Sequence, residues 1–358
     1  MRKIFIALLG IALVSGQALA SPLITLSGAA TSGFSGYKQE AGQIFRGQFE
    51  NVANVLVDVE LSEQVSTQID MGFGYQNQSG FTNGADISGI AIFIAPKNLD
   101  NTTLTLGSVT VPFGQFSDDQ TVNAVLGQYF IFNDLGYSFL NQGNSLNNFG
   151  SVGALGSTDF DHHGMLDVLF FNGSDDTATN TDKGFGVAIR YTNDTLIDDV
   201  TLSVSAMNVN DSGNANAINA NTTGFMGDIK TSLYDIELGG YVAMFTLDDG
   251  NASTKDDVNA FMAYASKKLD QITVSGRYSM VMPKDYNGDG IGGSTAMPMV
   301  GLGNVPFSDV DTTRIQLSAI YHLEENVNIN NEIIFDMYGE NRTDYNNTAF
   351  LSYASVSF

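Results

Sequence analysis

One short segment carries residues suited to binding a metal ion. The stretch DYNGDG begins at Asp285, and its D-x-N-x-D-G spacing matches the opening of a calcium-binding loop. In such a loop Asp285, Asn287 and Asp289 would supply oxygen ligands, and the final glycine would allow the sharp turn. The twelfth position, where a bidentate Glu is expected, is Ala296. Two interpretations therefore stay open, a weak external calcium site and an ordinary polar turn.

A second cluster has residue types that could do acid–base or metal chemistry. In DFDHH, Asp159 and Asp161 stand beside His162 and His163. The chain has no Cys, which excludes thiolate metal sites and Cys nucleophiles. No Ser-His-acid arrangement can be assembled, and nothing resembles a phosphate-binding loop or a dinucleotide site. The cluster is interpreted as a hydrophilic turn, and the sequence predicts neither an enzyme nor a cofactor.

The elements that must position these groups are strands with a period of two. In the segment ITVSGRYSM, Ile272, Val274, Tyr278 and Met280 alternate with polar residues. The same alternation recurs along most of the chain, and no segment has a sustained helical period. Such a pattern predicts β-strands with one apolar and one polar face. The fold class is therefore all-β.

The connections between these strands alternate in length. Along the chain, short polar links such as 62–64 and 324–326 alternate with longer ones such as 210–223 and 283–311. Short turns on one side and long loops on the other are typical of a transmembrane antiparallel β-barrel. Sixteen strands fit, with both chain ends on the short-turn side. The weakest strand is 148–158, and without it and a partner the barrel would have fourteen.

The first twenty residues predict export. Arg2 and Lys3 precede an apolar run from Ile4 to Val14, and the segment ends in Ala-Leu-Ala at Ala20. This is the pattern of a secretory signal peptide. The apolar run is shorter than the roughly 20 residues of a membrane-spanning helix. We expect residues 1–20 to be removed and residues 21–358 to form the barrel domain.

The charge of the chain restricts its partners. The formal net charge is −24, which argues against nucleic acid and other polyanions as partners. Only 15% of the residues are charged and 43% are hydrophobic, so the chain does not have the composition of a disordered acidic tail.

The last strand carries a resemblance to a known family. In AFLSYASVSF, Phe350, Ala354, Val356 and Phe358 share one face. The chain resembles Gram-negative outer-membrane porins, whose final strand commonly ends in Phe. The resemblance covers the layout of the mature chain but departs in detail. Ser352 and Ala354 stand where the family often has larger apolar residues, and the lack of Trp thins the aromatic girdles.

The resemblance implies a location and partners. A porin of this class lies in the bacterial outer membrane, in contact with outer-membrane lipid and lipopolysaccharide. Its terminal residue, here Phe358, is read by the barrel-insertion machinery, and the protein assembles as a homotrimer. The sequence itself reveals no subunit interface.

The third long loop is the candidate pore constriction. The stretch 112–147 is long and contains many apolar residues, and porins of the resembled class fold their third loop into the lumen. The predicted constriction residues are the acids Asp118, Asp119 and Asp134 and the inward-facing bases Arg190, Arg277 and Arg314. Opposed acids and bases would create a transverse field in the pore.

The same residues have a simpler interpretation that also stays open. Each loop Asp would then be a solvated charge, and each Arg would form a salt bridge that stiffens the wall. The candidate partners for such salt bridges are Asp58, Glu60, Asp228 and Asp336.

The function predicted from these features is passive diffusion of small hydrophilic solutes, with a preference for cations. The main alternative is a substrate-specific channel for a neutral solute such as a sugar, in which aromatic residues form a stacking slide. The slide would consist of Tyr129, Phe130, Phe132 and Tyr137. More distant alternatives are a plugged structural or adhesive barrel and an outer-membrane hydrolase.

Overall fold

The structure is a computed structural model that describes most of the chain after residue 22. The described ranges are 23–39, 45–75, 84–99, 101–115, 150–172, 185–210, 221–248, 255–284, 296–299, 302–306, 311–338 and 346–358. The predicted signal peptide, residues 1–20, lies outside them. No helix within these ranges is long and apolar enough to cross a membrane.

The described residues are almost entirely β-strands. In chain order they are β1 (Leu23–Gln39), β2 (Phe45–Ser62), β3 (Val65–Tyr75), β4 (Gly84–Ile94), β5 (Thr102–Thr110), β6 (Gly150–Asp159), β7 (Met165–Asn172), β8 (Phe185–Ile197), β9 (Val200–Asn210), β10 (Asn221–Leu233), β11 (Ile236–Asp248), β12 (Lys255–Leu269), β13 (Ile272–Lys284), β14 (Ala296–Met299), β15 (Leu302–Pro306), β16 (Thr312–Glu324), β17 (Val327–Tyr338) and β18 (Asn347–Ser357). A single 3₁₀ turn, Asp161–His163, joins β6 to β7.

Sixteen of these strands form one closed antiparallel barrel, as the sequence predicts. Each strand pairs with its neighbours in sequence, except that β13 pairs with β16 and the small hairpin β14–β15 stands apart as its own sheet. Closure is made by β1 and β18, with Ser35 opposite Leu351. At the end of this seam Gly28 and Phe358 exchange backbone hydrogen bonds of 2.9 and 3.0 Å. Closure gives every strand of the barrel two neighbours, although β4 and β5 pair only over residues 91–94 and 104–107.

The two ends of the barrel differ in their connections. Short turns join β2 to β3, β8 to β9 and β10 to β11 on one side of the barrel. The start of β1 and the end of β18 lie on the same side, which we call the turn end. The opposite side is the loop end. In the turn between β10 and β11, Tyr234 and Asp235 both have positive φ, at 50° and 60°. Two such residues define the hairpin turn that matches the twist of the flanking strands.

The predicted number of strands is confirmed, and the structure differs from the predicted connections at β14–β15 and at the end of β8. The weak strand predicted at 148–158 exists as β6, so sixteen strands are confirmed and fourteen are not needed. The hairpin β14–β15 lies within a connection expected to be irregular. Strand β8 runs on to Ile197, although the mainly polar stretch 193–198 predicts a short link there. Residues 116–149 lie outside the described ranges, so the inward fold of the third loop as a whole stays a prediction.

Candidate functional site

The inner wall of the barrel is the candidate functional surface. Along β16, Arg314, Gln316 and Ser318 are buried and face inward, whereas Leu317 and Tyr321 are exposed on the outside. Residues paired across neighbouring strands face the same side, so this assignment carries around the whole barrel. The outer face is a band of exposed apolar side chains, and the inner face carries polar and charged side chains together with buried apolar ones.

Acidic side chains outnumber basic ones on the described part of the inner wall. The acids of this face include Asp58, Glu60, Asp70, Asp167, Asp228, Glu237, Glu332 and Asp336. The bases include Arg190, Lys230, Arg277 and Arg314. The excess of acid seen in the whole chain is therefore also present on the surface that faces the lumen.

Arg314 is held by a buried ion pair. Its Nε and a terminal nitrogen donate to the two carboxylate oxygens of Asp336, at 2.6 and 2.9 Å. The side chains of this pair are 3% and 1% exposed. On the neighbouring strand, Arg277 donates to the side-chain oxygen of Gln316. The pair with Asp336 is one of the wall salt bridges that the sequence offered as the alternative to a pore role for Arg314.

Glu332 is an inner-wall carboxylate that the sequence analysis missed. It is 1% exposed, and among the residues that the structure describes neither of its oxygens has a hydrogen-bond partner. It lies on β17 between Ser318 of β16 and Leu351 of β18. The sequence could have indicated it, because Glu332 lies four residues before Asp336 on β17 and alternate residues of a strand face the same side.

The chain turns into the lumen directly after β5. Val111 and Phe113 are buried, and the ring of Phe113 lies 5.4 Å from that of Phe245 on β11. The backbone N–H of Gly114 donates to Ser205 Oγ at 2.9 Å, and that of Gln115 donates to Asp228 Oδ2 at 3.2 Å. These contacts place the start of the third loop, residues 111–115, against the inner face of β9 to β11. We call this segment the loop root.

Arg190 contacts both the wall and the loop root. Its Nε and one terminal nitrogen each lie 2.9 Å from Asp167 Oδ2 on β7. Its other terminal nitrogen donates to the backbone carbonyl of Gly114 at 2.9 Å. Sequence reasoning considered four acids as partners for the inward arginines but not Asp167, which lies directly opposite Arg190 in the β7–β8 register.

Part of the inner wall is apolar and buried. Met207, Met226, Phe245 and Met262 face inward from β9 to β12 and are almost fully covered. A water-filled porin lumen is normally lined by polar residues. Phe113 of the loop root covers part of this apolar patch through its contact with Phe245.

The acid and histidine cluster forms an exposed turn at the turn end. Asp161, His162 and His163 make up the 3₁₀ turn, and none of them is buried. Neighbouring elements hold its backbone, since Tyr191 donates to the carbonyl of His163 and Thr195 to that of His162. Within the described ranges, no three His, Cys, Asp or Glu side chains lie close enough together to hold a metal ion.

Several predicted site residues cannot be placed. The loop acids Asp118, Asp119 and Asp134, the aromatic slide Tyr129, Phe130, Phe132 and Tyr137, and the calcium ligands Asp285, Asn287 and Asp289 all lie outside the described ranges. Their roles stay predictions. The structure does place Arg190, Arg277 and Arg314 on the inner wall, on strands where the sequence put them.

Known structures share this barrel at low sequence identity. The anion-selective porin from Comamonas acidovorans matches 94% of this chain and 100% of its own, with a TM-score of 0.67 and 12% identity. A loop L8 deletion mutant of OmpT, an outer membrane protein of Vibrio cholerae, matches 95% and 100%, with a TM-score of 0.65 and 12% identity. Salmonella typhi OmpF in complex with daunomycin matches 94% and 97%, with a TM-score of 0.65 and 12% identity.

These matches define the fold class. The chain has the sixteen-stranded barrel fold of outer-membrane porins, which it also resembles in sequence layout. No family model matches the sequence. No curated protein matches it either. At 12% identity the structural likeness concerns the fold, and the function has to be argued from the inner wall.

Proposed function

We propose that the mature chain is a passive diffusion channel of the bacterial outer membrane for small hydrophilic solutes. The observation that carries this proposal is the division of the barrel surface: the outside carries exposed apolar side chains, and the inside carries charged and polar side chains beside the apolar patch that the loop root partly covers. An apolar outer band suits a bilayer, and a barrel of sixteen strands is wide enough to hold water. The loop root, turned into the lumen at Phe113, supports a pore narrowed from within.

We also propose that the channel prefers cations. Acids outnumber bases on the described inner wall, and the chain as a whole carries a net charge of −24. Acidic rings in a pore favour cations. The same fold is found in an anion-selective porin, so the fold does not determine the sign of the selectivity. The sign of the selectivity depends on the charged side chains that face the lumen, and on the described inner wall most of these are acidic.

Assembly and membrane contacts complete the proposal. One matching structure is described as a trimer form of OmpT from Vibrio cholerae, which supports a homotrimer for this chain. Phe358 is exposed on the outer face beside the closing seam, where insertion machinery and lipid could reach it. A calcium ion at Asp285, Asn287 and Asp289 would be a local addition to an external loop rather than part of the pore.

The proposal is tested by recording single channels of refolded residues 21–358 in a planar bilayer under a KCl gradient. We expect open steps and a reversal potential that favours K⁺. The double variant Asp118→Asn/Asp119→Asn should reduce that preference if the filter lies in the third loop. The matched control is Asp198→Asn/Asp199→Asn, which removes the same charge from an exposed turn and should change the reversal potential less.

The alternatives predict different recordings. A channel for a neutral sugar would be blocked by millimolar disaccharide, with weak ion selectivity. A plugged barrel would insert without conductance, which would refute the proposal. A hydrolase would in addition turn over lipid or peptide substrates, and the variant His162→Ala/His163→Ala would remove that turnover if the exposed turn were responsible.

A further inference from the structure

The loop root is held by polar contacts from three different strands. Arg190 on β8 donates to the carbonyl of Gly114, Ser205 on β9 accepts the N–H of Gly114, and Asp228 on β10 accepts the N–H of Gln115. Both backbone groups of Gly114 are therefore engaged. Buried backbone groups are costly to leave unpaired. Because the wall pairs with successive backbone groups of the loop root, it binds the root in one specific position.

The backbone of the root suits only a glycine at its centre. Gly114 has φ of +82°, a conformation that favours glycine. A Cβ atom there would lie 2.5 Å from Met226 Sδ, so that flexible side chain would have to shift, and the left-handed φ would strain any other residue whatever the space. The close approach brings the Gly114 carbonyl within reach of Arg190 and the following N–H within reach of Asp228.

The contacts of Arg190 define its role. Its charge lies next to Asp167, and the fork of its guanidinium is shared between that carboxylate and the Gly114 carbonyl. A guanidinium held in this way is compensated locally and contributes little to a field across the pore. Its planar fork can bridge two acceptors at once, which a lysine ammonium on a flexible stem does less well.

We propose that Arg190 and Asp228 are positioning residues that fix the root of the third loop to the wall formed by β8 to β10. In this arrangement Arg190 acts on permeation through the place of the root and not by facing the permeating ion. The consequence for conductance rests on the proposed channel function, whereas the anchoring itself does not.

A thiol reporter beneath the root tests the anchoring directly. Ser205→Cys is nearly isosteric and keeps a weak acceptor, Sγ, for the N–H of Gly114, so this variant is the parent with which every rate is compared. Ser205 is 6% exposed, and the chain has no native Cys to compete. The rate of reaction with a neutral, water-soluble methanethiosulfonate reagent is measured on the folded barrel. Adding Arg190→Met should raise this rate about tenfold or more, because a charge-assisted hydrogen bond to the root is lost.

Two controls separate geometry from charge. Lys230→Met removes a positive charge from the same inner wall, but Lys230 pairs with Glu237 at 3.6 Å, so this variant should leave the labelling rate unchanged. Arg190→Lys keeps the charge and loses the fork, and it should label at an intermediate rate. Asp228→Leu, which removes the acceptor for Gln115, should label faster than the parent. Far-UV circular dichroism shows whether each barrel is folded.

The outcomes distinguish this proposal from the channel function. Labelling of Arg190→Met at the parent rate would overturn the anchoring, as would full rescue by Arg190→Lys, which would show that charge alone matters. Faster labelling together with an altered single-channel conductance supports both proposals. Faster labelling in a barrel that never conducts would retain the anchoring and reject the channel.

Discussion

Removing one partner of the buried ion pair between Arg314 and Asp336 should strongly destabilise the barrel. Two nitrogens of Arg314 bind the two oxygens of Asp336 at 2.6 and 2.9 Å, with both side chains almost fully covered. Arg314→Met would remove two charge-assisted hydrogen bonds, each worth about 1.5–3 kcal/mol. It would also leave a buried carboxylate without its counter-charge. We expect the free energy of unfolding to fall by about 3–5 kcal/mol.

The measurement is urea unfolding of the folded barrel in lipid vesicles. Because the chain has no Trp, far-UV circular dichroism follows the transition in place of Trp fluorescence. The double variant Arg314→Met/Asp336→Leu replaces both charges with apolar groups and should recover at least half of the lost stability. Lys230→Met is the matched control, since its ion pair with Glu237 is longer and about one-third exposed, and it should cost less than about 1 kcal/mol.

Two results would refute this reasoning. If the free energy of unfolding of Arg314→Met lies within about 1 kcal/mol of the parent value, the pair is solvated in the lumen and behaves as a surface ion pair. If the double variant is less stable than Arg314→Met alone, the cost comes from lost packing of the long side chain and not from an uncompensated carboxylate.

Two further substitutions test the seam and a turn by the same unfolding measurement. Gly33→Ala places a methyl group too close to the Ser352 carbonyl and the Tyr353 ring, and it should lower the free energy of unfolding by about 1–3 kcal/mol. Gly227→Ala is the control and should cost less, because no described residue lies within 4 Å of its added methyl group. Equal losses of stability in the two variants would contradict the steric argument. Asn193 Oδ1 accepts hydrogen bonds from the N–H groups of Thr195 and Leu196 at 3.1 and 2.7 Å. Asn193→Ala should therefore lower the free energy of unfolding by about 1–3 kcal/mol. An unchanged urea midpoint would show that water replaces the side chain.

The strands were predictable because their signal is local. Strands β3 and β17 begin and end where the alternation begins and ends, at Val65–Tyr75 and Val327–Tyr338. The extension of β8 was not predictable in this way. Its residues 192–195 are polar, and their conformation is stabilised by contacts with the β6–β7 turn, such as that of Thr195 with the carbonyl of His162. Strand ends of this kind depend on neighbours that the local pattern does not reveal.

The inner wall was predictable in composition but not in pairing. Alternation puts Arg190, Arg277 and Arg314 on the inner face, and it does the same for Glu332. Which acid each base meets depends on the register between strands. Arg190 meets Asp167 because β7 and β8 pair in one particular register, and a shift by one residue would turn one of the two side chains outward.

The sequence by itself determined the kind of protein: an alternating period of two, an even number of strands, alternating short and long connections and an acidic balance all follow from residue types and spacing. Only the tertiary structure decided where the loop root, residues 111–115, lies against the inner wall. The N–H of Gly114 finds Ser205 across 91 residues of sequence, and that of Gln115 finds Asp228 across 113. Contacts at such separations exist only after the barrel has closed and brought β5 near β9 and β10, so no local pattern encodes them.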